Sequence, residues 1–376
     1  MKIKICTSAD IHIGYTTYGS IDPKTGLNTR VLNALNSLDE MIKYCINNSI
    51  KYLIIAGDAY KNNVPSPTLQ KEFDKRIKYA ADNNIQIYIM DGNHDVSMLK
   101  TANSALATFD TLGVKNVYHS KNKKLYDLGQ FQILMMPTYC DQQMVEEILA
   151  EPLIKPTFVV MHGTIKGAML NDWLIEQNES SIDINVFKKH NIIGVILGHL
   201  HKYQILNEDP LIYYTGSLQR IDFTEENQEK GFVVLTFDTD NMQLDYEFIE
   251  VESQKFYTIK MDLTNSIDEM TELLNEFEKR KHKINNSIVR LILNINPSNK
   301  IEDSILIKKL KEYHAQHIAS IQKNVVTEEI KKNKDITENI TEEKALRMYF
   351  KDHDNAEKII NEGLKMIQKL QNENLI

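Results

Sequence analysis

The stretch Ile192-Ile193-Gly194-Val195-Ile196-Leu197-Gly198-His199-Leu200-His201 decides the fold. A short apolar run bounded by glycine reads as a strand buried on both faces. The two histidines that follow are spaced two apart and leave the strand end pointing the same way. The arrangement recurs upstream. Ile3 to Cys6 runs into Asp10-Ile11-His12-Ile13-Gly14, Tyr52 to Ala56 into Gly57-Asp58, Ile85 to Met90 into Gly92-Asn93-His94-Asp95, and Phe158 to Met161 into His162-Gly163. Each run thus ends in a Gly-flanked residue able to hold a metal. In an α/β fold the carboxyl ends of the strands converge on one side of the sheet, so these residues are expected to meet. Glycine at such corners lets the backbone turn sharply and a metal or phosphate approach closely.

The expected set is Asp10, His12, Asp58, Asn93, His162, His199 and His201. Carboxylates, imidazoles and one amide oxygen suit divalent ions such as manganese, with iron or zinc as alternatives, and no thiolate is offered. A single carboxylate, Asp58, can bridge two ions about 3.5–4 Å apart, a pair that clamps a phosphodiester and lowers the pKa of a bridging water. His94 sits beside Asn93 but is expected to face the substrate, donating to a phosphoryl oxygen or protonating the leaving alkoxide, with Asp95 orienting it.

The chain has 376 residues, 42% hydrophobic and 26% charged, enough for a sizeable core with small appendages. A net charge of −8 does not advertise a nucleic-acid binder, although bound cations would offset part of it. Cys6, Cys45 and Cys140 fall singly, which fits a reducing, cytoplasmic setting. The N-terminal apolar stretch is too short for a signal peptide, and no run of about 18 apolar residues is present, so no membrane span is expected.

The first 250 or so residues alternate apolar runs with amphipathic segments, the pattern of a layered α/β domain. Val31 to Ile46 carries Leu32, Leu35, Leu38, Ile42 and Cys45 on one helical stripe; residues 130–137 and 211–238 add further strand-like runs. The texture changes near Val251. A strand over 254–263, a helix from Ser266 to His282 opened by a Ser266–Glu269 capping box with a stripe of Ile267, Met270, Leu274 and Phe277, a strand from Ser287, a helix over 302–316 and a strand over 318–326 make a small β-α-β-α-β unit. Residues 327–341 are polar and read as a linker. Two short helices follow within 342–374: Ala345, Leu346, Tyr349 and Phe350 cluster on the first, and Ala356, Ile360, Leu364 and Ile367 share a face of the second. They can fold back on the body or dock on a partner.

The order D-x-H, G-D, G-N-H-D, H-G and G-H-x-H resembles the calcineurin-like metallophosphoesterase superfamily over roughly residues 1–250. That resemblance implies a four-layer α/β/β/α sandwich. It also implies one metal on Asp10, His12, Asp58 and His201 and a second on Asp58, Asn93, His162 and His199, with His94 as a catalytic non-ligand. The opening D-I-H-I-G, the segment GDAYKNNVPSP at 57–67 and above all YTGSLQRIDFTEENQEKGF at 214–232 are similar to the SbcD-type nuclease subunit of double-strand-break repair complexes. This second resemblance implies a small α+β capping domain over 251–326 and a manganese-dependent 3′–5′ exonuclease and endonuclease on DNA ends or hairpins. It further implies a homodimer and a C-terminal helical element that binds an SMC-like ATPase subunit of the SbcC type. The chain has no phosphate loop of its own, so ATP dependence would come from that subunit. Relatives often carry His or Asp three residues after the bridging Asp; here Lys61 stands there and is a candidate phosphate contact, as is Arg220.

Plainer readings stand beside these. His119, His190, His282, His314, His317 and His353 lie in no motif and read as structural; Lys121, Lys123 and Lys124 read as a solvated loop. Asp95 can be a turn residue, and Ser217 and Arg220 can simply close a strand-to-loop turn. The rival functions are a stand-alone phosphodiesterase on nucleotides or small phosphodiesters and a non-enzymatic scaffold. The appended unit argues against the first and the complete ligand set against the second.

Overall fold

In a computed structural model, residues 1–97, 103–169, 181–189, 191–297, 301–326, 341–350, 353 and 355–372 are described. Nearly all of the 327–341 segment, His190 and the last residues of the 342–374 element lie outside them.

The first β-α-β step shows how the sequence builds the layers. Strand β1 (Lys2–Ser8) leads to helix α1 (Thr29–Asn47) and back to β2 (Tyr52–Ala56). Asn28 caps α1 by accepting the Arg30 N–H, taking up one of the donors that a first turn leaves unpaired. The buried stripe of α1 is Val31, Ala34, Leu35, Leu38, Met41, Ile42 and Cys45, with Leu32 only half-buried, so the stripe sits slightly round from the one expected. On β1 and β2, successive side chains alternate between two cores. Cys6, Leu53 and Ile55 face the helices, whereas Ile5, Ile54 and Ala56 face the second sheet. A strand covered on both faces reads as a continuous apolar run, which is why these were visible in sequence.

Repetition of this step gives two six-stranded sheets. The first adds α2 (Pro67–Asp82), β3 (Gln86–Met90), α3 (Thr108–Leu112) and β4 (Val117–Ser120), and is completed by β11 (Gly231–Asp238) and β12 (Gln243–Glu250) in the order β12-β11-β1-β2-β3-β4. Strand β11 runs antiparallel to β1, pairing Lys2 with Asp238. The second sheet takes β5 (Lys124–Asp127), β6 (Gln132–Met135), β7 (Thr157–His162), β8 (Ile192–Gly198), β9 (Gln204–Glu208) and β10 (Leu211–Tyr214) in the order β5-β6-β7-β8-β10-β9. Phe131, Ile133, Phe158, Val160, Ile196, Val233 and Phe237 fill the space between the sheets. Leu134, Val159, Val195 and Leu197 face outward to α4 (Gln142–Ala150) and the turn Ile184–Phe187. The result is a four-layer α/β/β/α sandwich.

A third sheet of β13 (Lys255–Asp262), β14 (Ser287–Ile295) and β15 (His317–Val325) is wholly parallel, its crossovers being α5 (Glu269–Ile284) and α6 (Asp303–Glu312). Helix α5 starts later than the expected capping box. Asp268 is its cap, accepting the Thr271 N–H at 3.0 Å and the Thr271 hydroxyl at 2.6 Å, and this carboxylate displaces Ser266 from the role. Its buried stripe is accordingly Leu273, Phe277 and Ile284, and Ile267 stands in solvent. The last two helices, α7 (Glu342–Phe350) and α8 (Ala356–Asn372), pack on each other. Gly363 lies so close to Leu346 that a Cβ there would sit 3.2 Å from its Cδ1. Ile360 is buried, Leu346, Phe350, Leu364 and Ile367 are half-buried, and Tyr349 is 62% exposed. Among the described residues no helix is long and apolar enough to cross a membrane.

The inter-sheet core gives a direct test. Phe158 is fully buried between Phe131 and Phe237, with ring centroids 5.8 and 5.9 Å away. Phe158→Ala is expected to lower unfolding stability by about 3–5 kcal/mol, read from the shift of the urea midpoint. A shift below about 1 kcal/mol would mean that the two sheets are not held by this contact.

Candidate metal centre

The expected ligands follow β1, β2 and β3 in one sheet and β7 and β8 in the other, and the two sheets bring these strand ends to one place. Backbone hydrogen bonds carry the pairing past the strands: Asp10 N–H to Gly57 O and His12 N–H to Asp58 O, both 3.0 Å. Asp10, His12, Asp58 and His199 all have positive φ, at 53°, 49°, 54° and 101°. Such backbone is uncommon for residues with a Cβ and persists only where the surroundings impose it. Close approach explains two of the corner glycines. A Cβ on Gly92 would lie 2.1 Å from Asp58 Oδ1, and one on Gly198 would lie 2.0 Å from Ala56 O.

Three overlapping groups have ligand atoms all within 4.8 Å of one another: Asp10, His12 and His201; His12, Asp58 and His94; Asp10, Asp58 and His162. Asp58 Oδ2 stands between His12 Nε2 at 3.5 Å and His162 Nε2 at 3.3 Å, the position of a shared ligand. Asn93 Oδ1 lies 3.0 Å from His162 Nε2 and 3.1 Å from His199 Nδ1, and the His199 N–H donates to Asp10 at 3.0 Å. All seven expected ligands are thereby in one cluster.

The tautomers fit a cation. His162 Nδ1 lies 2.8 Å from Ala56 O, and a carbonyl only accepts, so one proton is on Nδ1 and Nε2 is the atom turned towards Asp58 and Asn93. His201 Nδ1 likewise donates to Glu225 Oε1 at 2.7 Å, leaving Nε2 towards His12 Nε2 at 3.0 Å. Outer carboxylates of this kind fix ring orientation in metal sites. Burial holds the His12 imidazole down to about 3, neutral and able to ligate, although Asp58 pulls the other way. For Asp58, burial opposes ionisation, but His162 and His12 outweigh it and hold the carboxyl well below the usual range. Burial would lower His162, yet Asp58 and Asp10 push it up to about 10. Without a cation, then, the buried carboxylates draw a proton onto an imidazole whose Nε2 is placed to bind metal.

His94 joins the cluster from outside. Its N–H donates to Asp58 Oδ1 at 2.9 Å, its ring meets His12 edge-on at 4.9 Å, and its Nδ1 donates to the Lys61 carbonyl at 2.9 Å. The expected orienting group, Asp95, is engaged elsewhere. Its carboxylate accepts the N–H groups of Ala59, Tyr60 and Gly92 at 3.2, 2.9 and 2.9 Å, tying the loop after β2 to the loop after β3. Burial and the charge of Asp58 push that carboxyl up to about 8 against the pull of these donors. Lys61 is half-buried with its ammonium 4.5 Å from the centroid of the Tyr15 ring, which itself lies edge-on to His12. Arg220, the other candidate phosphate contact, turns inward: its terminal nitrogens donate to Ser253 Oγ and Gln228 O. Both partners lie outside the metal cluster, one of them at the junction with the third sheet.

Glu225 and Lys230 were not expected. Glu225 is 2% exposed, pairs with Lys230 Nζ at 2.6 Å, and is held at about 2 by His201 and Lys230 despite its burial. A buried acid and a buried lysine five apart in a loop carry no periodic signal; only their place inside the 214–232 segment pointed near them.

Proton release tests the site. His162 ligates only when neutral, and at pH 7 it lies below a pKa of about 10. Manganese binding at pH 7 is therefore expected to release on the order of one proton per site, and affinity should fall as pH is lowered. Titration calorimetry in buffers of different ionisation enthalpy reads both, and affinity independent of pH between 6 and 8 would exclude this ligand.

A family model described as calcineurin-like phosphoesterase matches residues 3–203. The DNA double-strand break repair protein Mre11 of Archaeoglobus fulgidus is 22% identical over 365 residues, covering 87% of this chain and 75% of that protein. Mre11 of Thermoplasma acidophilum is 23% identical, covering 73% of each. A subunit of the nuclease SbcCD from Staphylococcus epidermidis is 24% identical, covering 76% of this chain and 79% of that protein. With a match across more than half its length, and with the strand-end ligands in the family's order, the chain belongs to the calcineurin-like phosphoesterase family.

Proposed function

We propose that the chain is a metal-dependent DNA nuclease, the nuclease subunit of an SbcC–SbcD-like complex in DNA repair, recombination or replication. The observation that carries the reading is the single cluster formed by Asp10, His12, Asp58, Asn93, His162, His199 and His201 with His94 at its edge. DNA as substrate is supported by relatives named as double-strand-break repair and SbcCD nuclease proteins, whose similarity runs well beyond the phosphoesterase match. The remaining assignments are two manganese ions, 3′–5′ exonuclease and endonuclease action, a homodimer, docking of α7 and α8 on an ATPase subunit, and a cytoplasmic setting.

Asp10, His12, Asp58 and His201 would hold one ion, and Asp58, Asn93, His162 and His199 the other. When bound, the ions supply Lewis acidity toward the phosphoryl oxygens and a water of lowered pKa. The chain's own groups do the rest. Glu225 holds His201 in the tautomer that ligates. The Lys61 carbonyl fixes the proton of His94 on Nδ1, so Nε2 can carry a second proton and pass it to the departing alkoxide. Asp95 keeps the His94 and Asp58 loops in register.

With manganese and end-labelled duplex or hairpin DNA, His94→Gln is expected to slow cleavage by about 10²–10⁴-fold while keeping the metals, and Asp58→Asn to lose both cleavage and tight manganese binding. DNA left intact by a protein that cleaves a generic phosphodiester dye would replace the nuclease reading with that of a small-molecule phosphodiesterase. Deletion of residues 340–376 should abolish co-purification with the ATPase subunit and spare cleavage; retained binding would place the docking surface elsewhere.

A further inference from the structure

Between β10 and β11 the chain makes the short turn Phe223–Glu225, and two adjacent carboxylates there hold different parts of the molecule. Glu225 takes the His201 Nδ1–H at 2.7 Å and is itself held by Lys230 and by the Ile221 N–H at 3.2 Å. Glu226 reaches the third sheet: Oε1 accepts the Thr258 N–H at 2.8 Å and Oε2 the Thr258 hydroxyl at 2.5 Å. The same turn has a second grip on that unit. Phe223 packs edge-on against Phe256 with centroids 4.9 Å apart, and the Arg290 guanidinium lies 4.2 Å over the Phe223 ring while also donating to Thr258 Oγ1.

We propose that this turn couples the seat of the β13–β15 unit to the metal centre, with Glu226 and Thr258 acting as positioning residues for His201. The proposal rests on reading His201 as a metal ligand. Glu225 and Glu226 share one peptide bond, so a displacement of the clasp on Thr258 moves the partner of His201 with it. The His201 main chain is held in addition through its carbonyl, which accepts from Lys230 Nζ and the Ser217 N–H at 2.9 and 3.1 Å. What the clasp can change is therefore ring orientation, the property that an outer carboxylate controls. Where the unit joins the body, at residues 252–254, there is an open polar cleft of about 270 Å³ lined by Asn33, Asn36, Glu40, Gln219, Glu252 and Asn286. Phe256 also packs against Tyr18, with centroids 6.0 Å apart, and under the Arg30 guanidinium at 5.3 Å, but of these contacts it is the Phe223–Glu226 turn that also holds the His201 ring.

The test measures manganese binding to the full-length protein by calorimetry and by electron paramagnetic resonance of free and bound Mn²⁺. Glu225→Gln is expected to weaken one of the two sites by about 10–100-fold, the range for an outer partner of a ligating histidine. Glu226→Ala is expected to weaken the same site by about 3–10-fold, a fraction of that range, and Thr258→Val to do so more mildly. Glu226→Gln, which still accepts the Thr258 N–H, should recover most of the affinity. Because coupling is reciprocal, manganese should also slow hydrogen exchange at the Thr258 amide, and less so in Glu225→Gln. Thr258→Val keeps the side-chain volume and serves if Glu226→Ala does not fold. Wild-type affinity in both clasp variants, beside a weakened Glu225→Gln, would overturn the coupling and leave the ligand reading standing. Undiminished binding by Glu225→Gln would show that this carboxylate does not control the site, and would overturn the proposal while leaving His201 as a ligand.

Discussion

Asp10 and Asp58 are buried next to one another at the ends of adjacent parallel strands, and the surroundings are organised around keeping that charge out of water. Two carboxylates in a space of low polarity repel each other and lose their hydration. The protein answers with imidazoles from the second sheet and with N–H groups of His94 and His199 aimed at the carboxylate oxygens. None of this balances without positive charge, either protons on the histidines or a cation between them. The facing of the two sheets supplies the geometry: the carboxylates come from the first and most of the imidazoles from the second.

A buried charge next to this centre is treated differently. Lys230 is fully enclosed and would be costly alone, but its ammonium meets Glu225, the His201 carbonyl, Ser217 Oγ and Gln228 Oε1, so each of its three protons has a partner. Removing Glu225 would strand both Lys230 and the His201 ring. The pair ties the loop before β11 to the His201 ring and is better understood as fixing a geometry than as adding stability.

The parts of the molecule that could be read from sequence are those whose signal is local. A strand covered on both faces is an unbroken apolar run, and glycine with a ligand type at its end announces the corner; hence β1, β2, β3, β7 and β8 and their seven polar residues were legible. Strand β12 has an exposed face and alternates weakly, and α2 buries only Phe73, Ile77, Ala80 and Ala81, so neither stood out. Asp95 was expected to serve its neighbour His94, but sequence adjacency does not say where a side chain points, and it turned back to three backbone donors. Glu225 depends on a contact with His201 24 residues away, with β9 and β10 between them, which no pattern encodes. Ser266 satisfied the capping rule, yet Asp268, two residues on, offered a charged acceptor and the helix began there instead.

The place of β1 in its sheet has a consequence for how the chain is made. Residues 2–8 are made before β2, which covers one of their edges, but the other edge waits for residues 233–238. Until β11 has been synthesised, the central sheet presents an open strand edge at β1. Long-range pairing of this kind is slow to form and exposes an aggregation-prone border meanwhile. Asp10 and Asp58 can be set by the early β1–β2 pairing, whereas most of the imidazoles that neutralise them, His162, His199 and His201, arrive with β7 and β8. The charge is thus assembled before most of its compensation, and the metal centre becomes whole only after β8 has been made.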